Sequence, residues 1–442
     1  MQLFERASAA LQDLAAAAGA QEGKARRPGV SRGAPKLRDL ALEYSWAEVE
    51  RATGAFSKEF ELGRGGSGTV YRGMLQEGTE VAVKVIEGQV GAGFKEEVRL
   101  LSRCRHPNVV MLLGFAREGD GAGKSNGDQC LVAKGRRALI YELLPGGDVV
   151  SRLYGLSAPP FPWQERLRTA IGAVRGLAHL HKHRPEVFHR DIKSANTLFG
   201  EGGVVKIADF GLACVSKHRC ERERAVDIAA GTPGYADPLY ALSNVVTEAS
   251  EVYSMGMFLL ELLTGRLPAA QSPQGFVFLV SELRPHEDGA KGRVLKRLDA
   301  RAAWPLPTAA SLATLALLCI HEDATRRPSF LDLAAILHDL AATASEAAAV
   351  VLGSLPHALH PTLAPRAVSW DGPAAAAARH QQQHHPHWQL QQQQQQAWAS
   401  PCGSGASAPP PPLPPPLPPV QRRGLPPQLP QVFAMRPCRS PE

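Results

Sequence analysis

The segment LGRGGSGTVYRG carries Gly63, Gly65 and Gly68 at the GxGxxG spacing, followed by Val70. Glycines let backbone N–H groups close over phosphates without obstruction by Cβ, and a valine at this place can rest on an adenine face. A GxGxxG string by itself is often an ordinary turn, and a dinucleotide-binding fold requires it between a strand and a helix. Here it precedes VAVK, residues 81–84, a strand-like segment at hairpin spacing. The pattern therefore favours a phosphate-binding hairpin over a Rossmann turn.

Lys84 ends this strand-like segment, and two interpretations of its charge are open. It is either a solvent-exposed lysine at a strand end or a point charge for the α- and β-phosphates of a nucleotide. Glu97 lies thirteen residues later in the segment Phe94–Arg103, which has helical spacing. Because Glu97 stands next to Val98 on the inward side of that helix, it is the expected partner of Lys84, and Glu96 is the alternative.

The segment HRDIKSAN, residues 189–196, is followed by the tripeptide DFG at residues 209–211. With GxGxxGxV and VAVK in this order, these motifs make the chain resemble the protein kinases. The resemblance implies a two-lobed α+β kinase fold, in which a small lobe has an antiparallel sheet with one key helix and a larger lobe is helical. It also implies transfer of the γ-phosphoryl group of ATP to a protein hydroxyl.

The resemblance gives each polar residue of the motifs a role. Asp191 would orient the substrate hydroxyl and accept its proton. Lys193 would contact the γ-phosphate, which is the pattern of Ser/Thr kinases. Lys84 and Glu97 complete the implied catalytic set.

A site for ATP and its metal ion is implied as well. Oxygen donors of Asn196 and Asp209 would hold Mg²⁺, with Mn²⁺ as an alternative ion. Tyr141 would be the gatekeeper, and the backbone of residues 142–144 the hinge that binds adenine. The residues implied for the nucleotide are Leu62, Gly63, Gly65, Gly66, Gly68, Val70, Ala82, Lys84, Tyr141, Glu142, Leu144 and Leu198.

Further segments narrow the resemblance. YSWAEVERATGAF, HPNVVMLLGF, LIYELLPGGDV and GTPGYADPLY are similar to segments of plant-type receptor-like cytoplasmic kinases, relatives of the interleukin-1-receptor-associated and Pelle Ser/Thr kinases. The similarity covers roughly residues 44–342. In such kinases a buried column of side chains marks the active conformation, and here it would comprise Leu101, Leu112, His189 and Phe210.

Two positions depart from the family pattern near the segment that would present the substrate. Leu239 stands where a glutamate normally pairs with the arginine that is here Arg327, and Glu251 replaces an aspartate. A buried arginine without a partner costs about 3–5 kcal/mol. Arg327 is therefore expected to reach solvent or to pair with Asp237 or Asp323.

The activation segment, residues 209–238, offers few hydroxyls to a regulatory phosphate. Thr232 belongs to the substrate-facing turn and is expected to bond near the catalytic aspartate and lysine. Arg190, beside that aspartate, would need an anion from this segment. The hypothesis is that Asp227 is its built-in partner, and phosphorylation of Ser216 is the alternative.

Residues 44–342 form one expected folded unit in which strands precede helices, the order of a sheet-rich lobe followed by a helical lobe. Residues 117–137 are Gly-rich and charged, which is typical of a loop insertion between two strands. The predicted strands are Val81–Val85 and Leu139–Leu144, and the predicted long helices are Leu167–His181, Val252–Leu263 and Leu312–Ile320.

The two ends of the chain differ in composition from the middle. Residues 1–43 suggest a short helix and a flexible linker. Residues 343–442 hold Gln/His and Pro tracts that cannot bury enough apolar surface to offset chain entropy, so this tail is expected to be disordered. Residues 409–423 are a candidate ligand for a Pro-recognition module, and a plain spacer is the alternative.

Composition bounds the class of protein. The chain has 442 residues, of which 44% are hydrophobic, and its net charge of +7 is too dilute to indicate nucleic-acid binding. No apolar run reaches the roughly 18 residues of a membrane span, and the acidic residues Glu5 and Asp13 argue against a secretory signal. Seven cysteines, an odd number, favour a reducing, cytoplasmic location. Cys214 and Cys220 are expected to be unconnected thiols.

The expected function is an ATP- and Mg²⁺-dependent serine/threonine protein kinase that acts in signalling on protein Ser/Thr residues. The alternative is a catalytically weak pseudokinase scaffold that recruits partners through its Pro/Gln-rich tail. Dual specificity that includes tyrosine also stays open.

Overall fold

A computed structural model describes residues 37–353, apart from residue 67 and the segments 88–91, 120–134, 156–157, 219–220 and 273–274. The predicted N-terminal helix, the Gln/His- and Pro-rich tracts, most of the predicted insertion and Cys220 lie outside the described residues.

Six strands form a sheet in the order β1–β5–β6–β4–β3–β2. They are β1 (Leu42–Tyr44), β2 (Glu61–Gly65), β3 (Gly68–Met74), β4 (Glu80–Ile86), β5 (Leu112–Arg117) and β6 (Arg137–Glu142). All neighbouring strands are antiparallel except β1 and β5, which run parallel. The expected antiparallel sheet is confirmed for five strands. The correction is a parallel edge strand that begins at Leu42, before the expected start of the folded unit at Tyr44.

Two helices lie against this sheet, α1 (Trp46–Ala52) and α2 (Ala92–Leu101). Successive side chains of a strand point to opposite faces. In β4, Val83 is fully buried in an apolar cluster that includes Val49 of α1. Lys84 therefore points to the opposite face, where its contacts with α2 lie.

Eight helices dominate the rest of the described chain. They are α3 (Val149–Tyr154), α4 (Trp163–Lys182), α5 (Pro238–Ser243), α6 (Glu248–Thr264), α7 (Leu279–Leu283), α8 (Ala290–Leu295), α9 (Leu306–Cys319) and α10 (Phe330–Gly353). Helix α6 is buried along nearly its whole length, and the buried residues include the polar Ser250, Glu251 and Glu261. It packs against α9, and α4 packs against α10.

Short strand pairs position the loops between these helices. They are β7 (Val187–Phe188) with β10 (Cys214–Val215), β8 (Thr197–Phe199) with β9 (Val205–Ile207), β11 (Glu223–Ala225) with β12 (Val245–Thr247), and β13 (Ala269–Ser272) with β14 (Gly275–Phe278). A sheet-rich part followed by a helical part confirms the α+β class.

The predicted strands are found as β4 and β6, and the predicted helices as α2, α4, α6 and α9. Helix α9 begins well before its predicted start. The prediction missed the first turn because its residues, Leu, Pro, Thr and Ala, show no apolar period. Within the described residues, no helix is both long and apolar enough to cross a membrane.

Candidate active site

The glycine-rich segment forms the tight β2–β3 hairpin. Two of its glycines, Gly65 and Gly68, lie in different surroundings. Gly68 has a φ of +134°, and a Cβ there would lie 2.3 Å from the carbonyl oxygen of Val85. Only glycine fits at this crossing with β4. A Cβ at Gly65 would meet nothing within 4 Å. Packing within the protein does not explain Gly65, and the space beside it is open to a ligand.

Lys84 contacts two carboxylates. Its Nζ lies 2.6 Å from Asp209 Oδ1 and 3.5 Å from Glu97 Oε2. Glu96, the alternative partner, lies 3.2 Å from Arg99 instead. Burial alone would lower the pKa of Lys84, but the two carboxylates raise it above its ordinary value. The lysine is therefore positively charged and aimed away from bulk water.

Glu97 has a second partner that sequence reasoning missed. The hydroxyl of Tyr141 donates to Glu97 Oε1 across 2.6 Å. Burial and the Glu97 carboxylate raise the pKa of this tyrosine well above its usual value, so the hydroxyl keeps its proton and remains a donor. The two oxygens of Glu97 are thus held separately, one by Tyr141 and one by Lys84.

The catalytic-loop residues converge around Asp191. Its Oδ1 accepts a hydrogen bond of 2.6 Å from the Thr232 hydroxyl, and its Oδ2 lies 2.7 Å from Lys193 Nζ. Lys193 also donates to the Thr232 oxygen across 2.8 Å. Asn196 Nδ2 donates to the Asp191 backbone carbonyl across 2.9 Å. The structure therefore brings together the aspartate, lysine and threonine that the sequence placed near one another.

Asn196 and Asp209 have the chemistry that a divalent cation requires. Because Nδ2 of Asn196 donates to Asp191, its amide oxygen is the atom suited to a cation. Asp209 adopts a left-handed φ of 60°. Burial alone would raise its pKa, but Lys84 lowers it below the ordinary range, so the carboxylate is ionised. An amide oxygen and a carboxylate are hard donors that fit Mg²⁺ or Mn²⁺.

Most of the implied nucleotide residues lie around the face of the sheet that carries Lys84. Directly opposed residues of antiparallel strands share a face. Val70 is opposite Lys84, and Ala82, two residues before Lys84, is opposite Tyr141. Leu144 belongs to the apolar cluster against which Ala82 and Leu198 pack. Leu62 lies at an irregularity in the β2–β3 register.

The side chain of Glu142 is occupied by structural contacts. Its carboxylate accepts from the Met111 backbone N–H across 2.8 Å and lies 2.8 Å from Lys206 Nζ. Its own backbone N–H donates to the Met111 carbonyl across 3.1 Å. Any contact from Glu142 to a nucleotide would therefore come from its backbone carbonyl.

The implied hydrophobic column is buried. Leu101, Leu112, His189 and Phe210 are each at most 6% exposed. The rings of His189 and Phe210 meet with centroids 4.7 Å apart, so the DFG phenylalanine lies against the catalytic loop.

Arg190 contacts neutral groups and not the proposed aspartate. Its guanidinium donates to the Tyr240 hydroxyl across 2.8 Å and to the carbonyls of Leu212 and Ile228 across 3.1 and 3.0 Å. These contacts contradict the hypothesis that Asp227 supplies the anion for Arg190. The sequence could not show this, because carbonyl acceptors leave no mark in residue types.

Ser216, the alternative regulatory site, is buried with both roles of its hydroxyl in use. Its Oγ accepts from the Glu186 backbone N–H across 3.0 Å and donates to the His218 carbonyl across 3.0 Å. Ser216 directly follows β10, and Glu186 directly precedes its partner strand β7. Phosphorylation of Ser216 would therefore require the β7–β10 pair to open first.

Glu251 takes up the position of the missing aspartate with its longer side chain. Its carboxylate accepts from the Arg190 backbone N–H and from His181 Nε2, the latter across 2.8 Å. The other ring nitrogen of His181 lies 2.8 Å from Glu186. Burial alone would lower the pKa of His181, but the two carboxylates raise it to about 9. A buried cation between two carboxylates therefore supports the catalytic loop.

Arg327 forms one of the contacts expected for it, the ion pair with Asp237. Its Nη1 lies 2.6 Å from Asp237 Oδ2, and both side chains are almost fully buried. It also donates to the carbonyls of His321 and Ala249. Leu239 is 48% exposed and does not share this site. Asp237 thus replaces the glutamate that the family pattern places two residues later.

Glu261 is a functional candidate that sequence reasoning did not identify. Its buried carboxylate accepts hydroxyl hydrogens from Ser194 at 2.7 Å, Tyr235 at 2.5 Å and Tyr154 at 3.0 Å. Burial raises its pKa to about 7, and the three hydroxyls offset this only in part. The sequence does contain a sign of it, because Glu261 is the single acidic residue in the otherwise apolar segment 255–263 of α6. The contact connects the catalytic loop to the substrate-facing turn.

Comparisons with known proteins agree with this geometry. The family described as protein kinase domain matches residues 56–338. In Arabidopsis thaliana, the chain is 34% identical over 296 residues to the putative proline-rich receptor-like protein kinase PERK11 and 37% identical over 294 residues to the receptor-like serine/threonine-protein kinase ALE2. It is 36% identical over 294 residues to the proline-rich receptor-like protein kinase PERK7 of the same plant.

These alignments cover 65%, 64% and 64% of this chain and 39%, 36% and 40% of the respective relatives. The chain therefore spans about two fifths of the length of the curated relatives that it matches.

Proposed function

Because the chain belongs to the protein kinase family, whose members use ATP and a divalent metal ion on protein substrates, we propose that it transfers the γ-phosphoryl group of ATP to serine and threonine hydroxyls of proteins. The observation that carries the proposal is the presence of two short ion pairs among the motif residues, Lys84 with Asp209 and Lys193 with Asp191. The serine/threonine-protein kinase named among its relatives supports the same substrate class. We place the chain with the receptor-like cytoplasmic kinases related to the interleukin-1-receptor-associated and Pelle kinases.

Asp191 is the residue that orients the substrate hydroxyl and accepts its proton. Its carboxylate is fixed on one oxygen by Thr232 and on the other by Lys193. As the hydroxyl oxygen bonds to the γ-phosphorus, the bond from that phosphorus to the bridging oxygen breaks and ADP leaves. The hydroxyl proton passes to Asp191, and Lys193 stabilises the negative charge of the transferred group.

Lys84 supplies a second positive charge, for the α- and β-phosphates. Glu97 pairs with Lys84, and Tyr141 holds Glu97 in place through its hydroxyl. Asn196 and Asp209 would hold the divalent ion, for which we propose Mg²⁺ with Mn²⁺ as an alternative. When bound, such an ion neutralises charge on the phosphates.

Adenine would bind at the backbone that follows β6. The Glu142 carbonyl and the Leu144 backbone are the proposed polar contacts, since the Glu142 N–H already donates to Met111. The aliphatic members of the implied nucleotide set provide an apolar surface for the ring: Leu62, Val70, Ala82, Leu144 and Leu198.

Phosphate incorporation from radiolabelled ATP by the purified full chain tests this function, with a generic basic protein as acceptor. The matched control is Asp191→Asn, which keeps the side-chain shape but removes the proton acceptor. We expect incorporation to fall by at least a hundredfold, which lies within the 10²–10⁴ range of a positioned base. Equal incorporation by both proteins would support the pseudokinase alternative. Phosphoamino-acid analysis of the product separates Ser/Thr from dual specificity.

Two finer proposals concern the surroundings of the enzyme. The described cysteines, Cys104, Cys214 and Cys319, are free thiols, which supports a reducing, cytoplasmic location. Residues 409–423 are the proposed ligand of a Pro-recognition module. Binding of the full chain to an array of such modules, compared with a chain lacking residues 409–423, tests this partner.

A further inference from the structure

Two histidines meet at the end of α4, away from the residues proposed for phosphoryl transfer. His179 lies in the last turn of the helix and His183 caps its C-terminus. A spacing of four residues places side chains on the same face of a helix. Their Nε2 atoms are 3.1 Å apart, while the ring centroids are 4.8 Å apart. The two Nε2 edges therefore face each other.

This separation suits two ligands of one metal ion. With metal–nitrogen distances of about 2.0–2.1 Å, nitrogens 3.1 Å apart subtend an angle of about 100° at the ion. Histidines at i and i+4 on one helix face are a known zinc-binding arrangement. We propose that His179 and His183 form a binding site for a divalent transition-metal ion of the zinc and copper class.

A third histidine fixes the orientation of the first. The ring of His106, from the loop after α2, stacks on His179 with centroids 4.8 Å apart and an angle of 21° between the planes. His106 Nδ1 accepts from the Asn108 backbone N–H across 3.1 Å. In its neutral form His106 therefore carries its proton on Nε2, and it supports His179 without being a ligand.

The 3.1 Å contact between the two Nε2 atoms is a hydrogen bond when both rings are neutral, and a bound metal ion must replace it. In the neutral pair one Nε2–H donates to the other Nε2. Coordination requires the donor ring to move its proton from Nε2 to Nδ1, so no proton is released.

The surroundings select the type of ion. The C-terminal end of a helix carries partial negative charge, but here Arg184 already donates to the carbonyls of His181 and His183, and Lys182 adds a further positive charge nearby. Affinity must then come from bonds to imidazole nitrogen, which Zn²⁺, Cu²⁺ and Ni²⁺ form readily and Mg²⁺ does not. Within the described part of the chain, no group of three or more His, Cys, Asp or Glu side chains is arranged to hold a metal. Water or an incoming ligand would therefore complete the coordination.

Thermal unfolding of the full chain with and without ZnCl₂ tests the site. An ion that binds only the folded state raises the melting temperature. We expect a rise of several degrees with ZnCl₂ and none with MgCl₂ at the same concentration. His179→Ala and His183→Ala should each abolish the rise. His338→Ala, at an exposed histidine on α10, should keep it.

The tail, residues 343–442, requires its own control, because it holds six histidines: His357, His360, His380, His384, His385 and His387. In a chain with all six changed to alanine, equilibrium dialysis should still find one bound Zn²⁺, and a further His183→Ala change should weaken that binding at least tenfold. Dialysis reads binding directly, so it decides the matter even where a substitution lowers stability. Loss of the zinc effect with the tail histidines alone would overturn the proposal, as would its survival in both His179→Ala and His183→Ala.

Discussion

The Tyr141 hydroxyl donates to Glu97 Oε1 across 2.6 Å, so the strand before the proposed hinge holds the glutamate of α2. Tyr141→Phe should lower the free energy of unfolding by about 1–3 kcal/mol, because it leaves a buried carboxylate oxygen without its donor. A urea titration measures this change.

A double-mutant cycle separates this contact from simple loss of the hydroxyl. In a Glu97→Met background, Tyr141→Phe should cost much less than in the wild type, since no carboxylate remains to be satisfied. Equal costs in the two backgrounds would show that the hydrogen bond does not stabilise the fold.

Replacement of Lys84 should affect both activity and stability. Lys84→Met removes the positive charge that we propose for the phosphates, and phosphate incorporation should fall by at least a hundredfold. It also leaves Glu97 buried without its cation, which should cost about 3–5 kcal/mol of unfolding free energy. The matched control is Lys58→Met at an exposed lysine, expected within about 0.5 kcal/mol of the wild type. Retention of more than a tenth of the activity would refute the assigned role.

Glu261 should make stability depend on pH near neutrality. Its pKa of about 7 in the folded chain lies above its ordinary value of 4.5, so the folded state holds this proton more tightly than the unfolded state. The stabilisation is fully present below pH 4.5 and is lost as the pH rises through 7, by an amount on the order of 3 kcal/mol.

Glu261→Gln keeps the size of the side chain and removes this titration. Melting temperatures measured between pH 5.5 and 8.5 should show the variant gaining on the wild type as the pH rises. Parallel curves for the two proteins would mean that Glu261 does not titrate in this range.

The ion pair of Arg327 can be tested with two substitutions that differ sharply in expected effect. Asp237→Asn should cost about 3–5 kcal/mol of unfolding free energy, because it leaves a buried guanidinium without its counter-ion. Leu239→Glu, which restores the family residue at a half-exposed position, should change it by less than about 0.5 kcal/mol. A clear stabilisation by Leu239→Glu would show that Arg327 still needs the family glutamate.

The contacts of Arg190 predict which residue supports the activation segment. Asp227→Ala should leave the initial rate of phosphate transfer within about twofold, since Arg190 bonds to Tyr240, Leu212 and Ile228 instead. Tyr240→Phe removes the acceptor of Arg190 Nε and should slow the reaction several-fold. Both proteins must be assayed before autophosphorylation accumulates. A large loss in Asp227→Ala with a normal Tyr240→Phe enzyme would restore the built-in carboxylate hypothesis.

The sequence by itself determined the α+β class, the main helices and strands, and the motif residues of the candidate site. These are local features, since the GxGxxG, HRDIKSAN and DFG motifs are contiguous and apolar periods span only a few turns. The short parallel strand β1 was not predicted, because three residues carry no periodic signal and their pairing with β5 is set across the chain.

Only the tertiary structure decided which partners the buried polar groups take. The sequence offered two carboxylates as partners for Arg327, Asp237 and Asp323. Packing selected Asp237, which is ninety residues away in the sequence. The links from Tyr141 to Glu97 and from Tyr235 to Glu261 likewise join separate elements. Residue types state which groups need a partner when buried, but the packing of distant helices and strands determines which groups become buried together.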